Sequence, residues 1–143
     1  MTNKTKAEPR EYKEPNMAMP NSVHAAGGVL FEGSAVQFAT DGDLENLSGT
    51  GTSFAGFLDE SASADGDRLK VFEKGKVLLT VAKGSSWDGS EKLDLVYGTD
   101  GNVFTLVATS AQAIGRVSEI VSMSGASAVV WVQFKSRTHQ DQA

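Results

Sequence analysis

The sequence predicts an all-β fold, mainly antiparallel: a small β-sandwich or barrel-like domain with a flexible N-terminal arm. Three observations carry this. Asp-Gly dipeptides stand at 41–42, 65–66, 88–89 and 100–101, most of them between short apolar runs. Asp-Gly suits tight hairpin loops, because Gly takes positive φ freely and Asp bonds nearby backbone amides. Second, runs such as Arg68-Leu69-Lys70-Val71-Phe72 and Val129-Val130-Trp131-Val132-Gln133-Phe134 are β-branched or aromatic and largely alternate. Third, no window of ten or more residues carries a convincing helical period; the best local exception is a turn or short helix around 85–92.

Residues 1–23 read as the arm. The segment is polar, carries Pro9, Pro15 and Pro20, and has too little apolar mass to offset its ordering entropy alone. Tyr12, Pro15, Met17, Met19 and Pro20 make its second half stickier than a linker, which points to an arm that orders on a partner. The body is expected over 24–135, with strands near 29–31, 35–39, 54–58, 68–72, 76–81, 93–97, 103–107, 114–120 and 128–134. Glu73-Lys74-Gly75 is expected to join two of them as a hairpin, and residues 99–102 another two. Residues 136–143 read as a polar tail that frays.

One echo runs through the body. At an offset of 59, Thr40-Asp41-Gly42, Leu47, Thr50, Gly56 and Glu60 fall on Thr99-Asp100-Gly101, Leu106, Thr109, Gly115 and Glu119. Val36, Phe38, Leu44 and Leu58 fall on other apolar residues. A duplicated unit would place the two Asp-Gly pairs in equivalent turns and the two glycines in equivalent strands.

At 143 residues the chain is long enough to bury a real core. Cysteine is absent, so there is no disulfide framework and no thiolate metal site. No stretch approaches the roughly 18 apolar residues of a membrane span, and no apolar leader precedes the body, so a soluble product without a cleaved signal is expected. Residues 1–20 hold four basic and three acidic side chains, a net of +1; the remainder holds nine and fifteen, a net of −6. An acidic body without clustered Lys or Arg is a poor nucleic-acid binder.

Catalytic and metal constellations are not apparent. His24 and His139 stand outside any nucleophile–base arrangement, and no phosphate loop, G-x-S-x-G or H-E-x-x-H occurs. Asp41, Asp43 and Glu45 alternate as in a calcium loop, but Asn46 replaces the sixth-position Gly and Thr52 the twelfth-position Glu. Trp131 reads as core; Trp87, in a Gly/Ser-rich loop, reads as a possible exposed contact. No catalytic residue, metal ligand or cofactor is expected.

Several segments in series resemble the capsid decoration, or cement, proteins of tailed bacteriophages, in particular the lambda-type head-decoration proteins. They are His24-Ala25-Ala26-Gly27-Gly28-Val29-Leu30-Phe31-Glu32-Gly33, Phe54-Ala55-Gly56-Phe57, Gly66-Asp67-Arg68-Leu69-Lys70-Val71, Gly75-Lys76-Val77, Val96-Tyr97, Phe104-Thr105-Leu106 and Ile114-Gly115-Arg116-Val117. Together they cover about residues 24–134. The resemblance implies a structural virion protein, not an enzyme. Such a protein binds the major capsid protein on the outside of an expanded head, commonly as a homotrimer, after synthesis in the host cytoplasm. It implies no cofactor, nucleic acid or membrane partner. The alternative from another class is a carbohydrate-binding or adhesive β module, with Trp87 and Tyr97 as its available aromatics.

Overall fold

The computed structural model describes residues 3–13 and 20–137. Among the described residues the fold is all-β, with ten strands: β1 (Asn21–Ala25), β2 (Ala35–Phe38), β3 (Leu44–Asn46), β4 (Phe54–Leu58), β5 (Arg68–Phe72), β6 (Lys74–Ala82), β7 (Leu95–Gly98), β8 (Phe104–Thr105), β9 (Gln112–Ser124) and β10 (Ser127–Lys135). They form two modules. The first is a sheet in the order β1-β5-β4-β2-β3; the second is a barrel that, read from β6, runs β6-β10-β9-β7-β8 and closes on itself. The two orders are the same, strand for strand.

The registers agree as well. In the first module Phe38 faces Leu44 and Gln37 faces Glu45; in the second Gly98 faces Phe104 and Tyr97 faces Thr105. Both pairs of hairpin strands therefore match at an offset of 60. Val36 faces Gly56 and Gln37 faces Phe54, with Ala55 bulged out of the ladder. Val96 faces Gly115 and Tyr97 faces Ala113, with Ile114 bulged in the same place. β4 thus matches β9 at an offset of 59. Through Phe57–Phe72 and Arg116–Gln133, β5 matches β10 at 61, and β1 then matches β6 at 55. One pairing checks this chain of registers. The parallel closure Val81–Phe104 in the barrel must correspond to Ala26–Leu44, and those two residues form a parallel bridge.

The cores correspond too. Ala26, Val36, Leu44, Ala55, Leu58, Leu69 and Val71 are buried in the first module, and their equivalents Val81, Val96, Phe104, Ile114, Val117, Val130 and Val132 in the second. Period-two alternation turns these residues inward in β5 and β10, while in β4 and β9 the bulges at Ala55 and Ile114 shift the alternation by one residue. The echo is therefore a repeat whose offset is 59 only in β4 and β9; the β2–β3 hairpin matches at 60, so Val36, Phe38 and Leu44 stand for Val96, Gly98 and Phe104 and not for Leu95, Tyr97 and Val103. Gly56 and Gly115 are equivalent, but the Asp-Gly pairs stand one residue apart within equivalent loops. The loops align through Ala39 N–H donating to Asp43 and Thr99 N–H donating to Val103, again 60 residues apart.

Other expectations change in detail. Glu73-Lys74-Gly75 is no hairpin: β5 pairs with β1 and β4, β6 with β10 and β8, so this segment is the link between modules. The expected strand at 29–31 reduces to a bridge between Leu30 and Ala62. β1 begins inside the expected arm, and the short, polar β1 and β3 escaped the apolar pattern. Of the turn or short helix expected around 85–92, the structure shows the turn, at 90–93. Ser136 is buried and donates its N–H to the Glu73 carbonyl instead of fraying.

The modules are packed together by the outer face of the first. Phe57 sets its ring 4.9 Å from that of Phe134 and 5.9 Å from that of Phe104, and joins the core of the barrel with Ala35, Leu47 and Phe54. Beside this plug lies a buried amide pair. Gln112 accepts the Phe54 N–H at 3.1 Å and donates to Gln37 at 2.7 Å and to the Ser48 carbonyl at 2.8 Å.

Candidate functional site: the N-terminal segment and its seat

Residues 11–13 behave as a short eleventh strand. Tyr12 bridges Val77 in antiparallel sense, the Leu78 N–H donates to the Glu11 carbonyl at 3.0 Å, and the Lys13 N–H donates to the Lys76 carbonyl at 3.1 Å. The seat exists because β8 covers β6 only at Val81 and Ala82. The earlier part of that edge offers free ladder groups, and an extended backbone satisfies them.

Side chains fix the segment at both modules. Arg10 donates through Nε to the Gly33 carbonyl and through Nη2 to Asn102 Oδ1, each at 2.8 Å, and lies 5.5 Å from the centre of the Phe104 ring. Burial pulls the Arg10 guanidinium below its ordinary pKa. Asn3 Oδ1 accepts the Gly101 N–H at 2.8 Å, and the Glu8 N–H donates to the Glu32 carbonyl. Lys13 pairs with Glu119 at 2.7 Å above the Trp131 ring; this contact holds the Glu119 carboxyl below the usual range. The segment is a strap across the joint, held by residue types that the apolar pattern does not flag.

Tyr12 sits in this joint, edge-on to Phe72 at 5.0 Å. Burial raises its pKa well above the usual tyrosine range, and its hydroxyl is buried without a hydrogen-bond partner. The expected role of Tyr12 as an accessible contact is thereby corrected: its ring is spent on the joint. Pro20 is exposed, and its carbonyl accepts the Glu73 N–H. Pro15, Met17 and Met19 lie outside the described residues.

Trp87 is corrected likewise. It is 6% exposed, part of the barrel core, and its Nε1 donates to the Ala126 carbonyl at 3.1 Å. The loop after β6 is tied down by Glu91, itself 1% exposed. Glu91 accepts the Asp88 and Gly89 N–H groups and the Lys83 ammonium. Burial pushes its carboxyl up, but the Lys83 and backbone bonds outweigh burial and hold it below the usual range. Among the described residues no group of three or more His, Asp or Glu side chains is placed to hold a metal ion. Compared with protein-family models and with curated proteins, the chain matches none.

Proposed function

We propose that this protein decorates the exterior of an expanded phage head, binding the major capsid protein and locking neighbouring subunits against the outward push of packed DNA. On this reading it acts as a homotrimer on the virion surface. The observation that carries the reading is the pairing of residues 11–13 along β6. It supports the view that the N-terminal segment is competent to add as a strand to an exposed sheet edge, the mode by which an arm grips a partner. The ordered resemblance of residues 24–134 supports the same reading. The mechanism is linkage: a ligand that binds only the assembled, expanded lattice stabilises that lattice by mass action, multiplied over many copies. With Tyr12 held in the joint, the shell contact falls to the stretch beyond it, where Pro15, Met17 and Met19 stand.

The deciding experiment mixes the full chain with expanded heads stripped of decoration. Saturable binding that raises the temperature of head disruption is expected; heads that stay bare at micromolar protein would end the proposal. The carbohydrate-binding alternative loses its best aromatic with the burial of Trp87.

A further inference from the structure

We propose that Asp65 is a modification site: of the four Asp-Gly steps in this chain it is the one that converts to isoaspartate in the folded protein, and the change loosens the turn that holds Ala26. The reaction needs a carboxyl that can swing onto the amide nitrogen of the next residue. A following glycine leaves that path open because it has no Cβ. The Gly66 nitrogen attacks Cγ of the protonated Asp65 carboxyl. A C–N bond forms, the carboxyl OH leaves with the amide proton as water, and a five-membered succinimide remains. Water then adds to the former backbone carbonyl. The old peptide bond breaks, the nitrogen stays on Cγ and takes back a proton, and a carboxylate is left on Cα. One water leaves and one enters, so the mass is unchanged while the main chain gains one carbon.

The four steps differ in the carboxyl, not in the amide. Each glycine N–H is engaged, Gly42 with the Ala39 carbonyl, Gly66 with the Ala26 carbonyl, Gly89 with Glu91 and Gly101 with Asn3, all at 2.7–2.9 Å. Three of the carboxyls are engaged as well. Asp41 accepts the Asp43 N–H at 3.0 Å, Asp88 the Ser90 N–H at 2.9 Å and its hydroxyl at 2.6 Å, and Asp100 the Asn102 and Val103 N–H groups at 2.8 and 2.9 Å. Such local bonds hold a side chain in one rotamer, aimed past the next residue. Asp100 and Gly101 are buried besides, away from the water that the second step consumes. The Asp65 carboxyl forms no hydrogen bond or ion pair with the described residues. In its turn the anchoring role falls to Asp67, which accepts the Ser63 and Ala64 N–H groups at 3.0 and 3.2 Å. The turn therefore keeps its shape while Asp65 is free to rotate. Asp65 and Gly66 are both exposed, and nothing crowds the Gly66 Cα.

What the turn grips gives the change its effect. Ala26, fully buried in the first core, donates its N–H to the Asp67 carbonyl and accepts the Gly66 N–H, each at 2.7 Å. An extra main-chain carbon between Asp65 and Gly66 moves the second of these bonds out of register. In the second module Val81 stands for Ala26 and pairs with Ala128 inside a continuous strand, where no Asp-Gly step occurs.

The test is to age the full chain at neutral pH, label isoaspartate with an isoaspartyl methyltransferase, and place the label with an endoproteinase that cuts before aspartate but not before isoaspartate. Isoaspartate is expected at 65 first, at 41 next, and at 88 and 100 last. Asp65→Glu keeps the charge but would need a six-membered ring; it is expected to abolish the early label with an unchanged melting temperature. In the chain unfolded by urea the four steps are expected to convert at similar rates, which assigns the selectivity to the fold. The Ala26 N–H is expected to exchange faster in the converted fraction than in the fresh chain. Label that appears first at another step, equal rates at all four in the folded chain, or indifference to Asp65→Glu would overturn the site. Conversion at 65 with unchanged Ala26 exchange would overturn its effect on the turn. The outcome does not depend on whether the chain meets a phage head.

Discussion

Gly56 and Gly115 occupy one position in two copies of the same module, and neither has room for a side chain. A Cβ on Gly56 would collide with the Phe72 carbonyl oxygen, and one on Gly115 with the Gln133 carbonyl oxygen, which the registers make equivalent atoms. Gly56 also holds φ at +137°, where an L side chain is strained. Gly115→Ala is expected to cost about 1–3 kcal/mol from overpacking. Gly56→Ala is expected to cost about 1–3 kcal/mol more, because backbone strain adds to the clash. Urea unfolding of the two variants checks the order.

Tyr12 separates packing from polarity. Tyr12→Ala removes a ring packed on Phe72 and is expected to cost about 2–4 kcal/mol. Tyr12→Phe removes a buried hydroxyl that bonds to nothing and is expected to be neutral or stabilising. The raised pKa gives a sign for alkaline pH. The unfolded tyrosine releases its proton near 10.0 while the folded one keeps it, so the Tyr12 contribution is complete below pH 10.0 and is lost as pH rises beyond it. Thermal melts at high pH should fall more steeply for the native chain than for Tyr12→Phe.

Glu91 works at the opposite end of the pH scale. Its folded carboxyl titrates below 4.5, the ordinary value, so its contribution is present above that value and lost as pH falls through the folded-state one. Glu91→Ala frees the Lys83 ammonium and the two N–H groups beside Trp87. A lower melting temperature and red-shifted tryptophan emission are expected, with a shallower acid dependence than the native chain.

Gln112 ties the modules through three hydrogen bonds in a buried setting. Gln112→Ala leaves the Phe54 N–H, the Ser48 carbonyl and the Gln37 amide short of partners, at an expected cost of about 1–3 kcal/mol. Hydrogen exchange should quicken first at Phe54.

Much of the fold was legible because its strands carry strong signals. Residues 68–72 are a strand to the residue because alternating apolar side chains report on a pleated, half-buried ladder, and 54–58 because a short unbroken apolar run marks a strand buried on both faces. The repeat was visible through Gly56 and Gly115, which sterics hold in place, and blurred at Asp41 and Asp100, where either of two neighbouring loop positions lets a carboxylate bond a following amide. β1 was lost because Asn21, Ser22 and His24 bury little apolar area and are held by β5. The strap was lost for a related reason: Arg10 and Lys13 read as solvated charge, while their stems and heads are spent on carbonyls and rings. Trp87 was misplaced because its Gly- and Ser-rich neighbours hide a burial that Gly125 and Ala126, nearly forty residues on, bring about.

The closing bridges of the two modules differ in length, and with length comes an order of events. Val81 and Ala82 both pair with β8, whereas Ala26 alone pairs with β3. A ring closed by two rungs opens only when several bonds fail together; a ring closed by one opens with a single excursion. The Gly27 N–H, bonded to Leu44, is therefore expected to exchange with solvent before the Leu106 N–H, bonded to Ala82. The symmetry of the molecule is kept in its pairing, and its asymmetry is expected in time: the first module should open before the second.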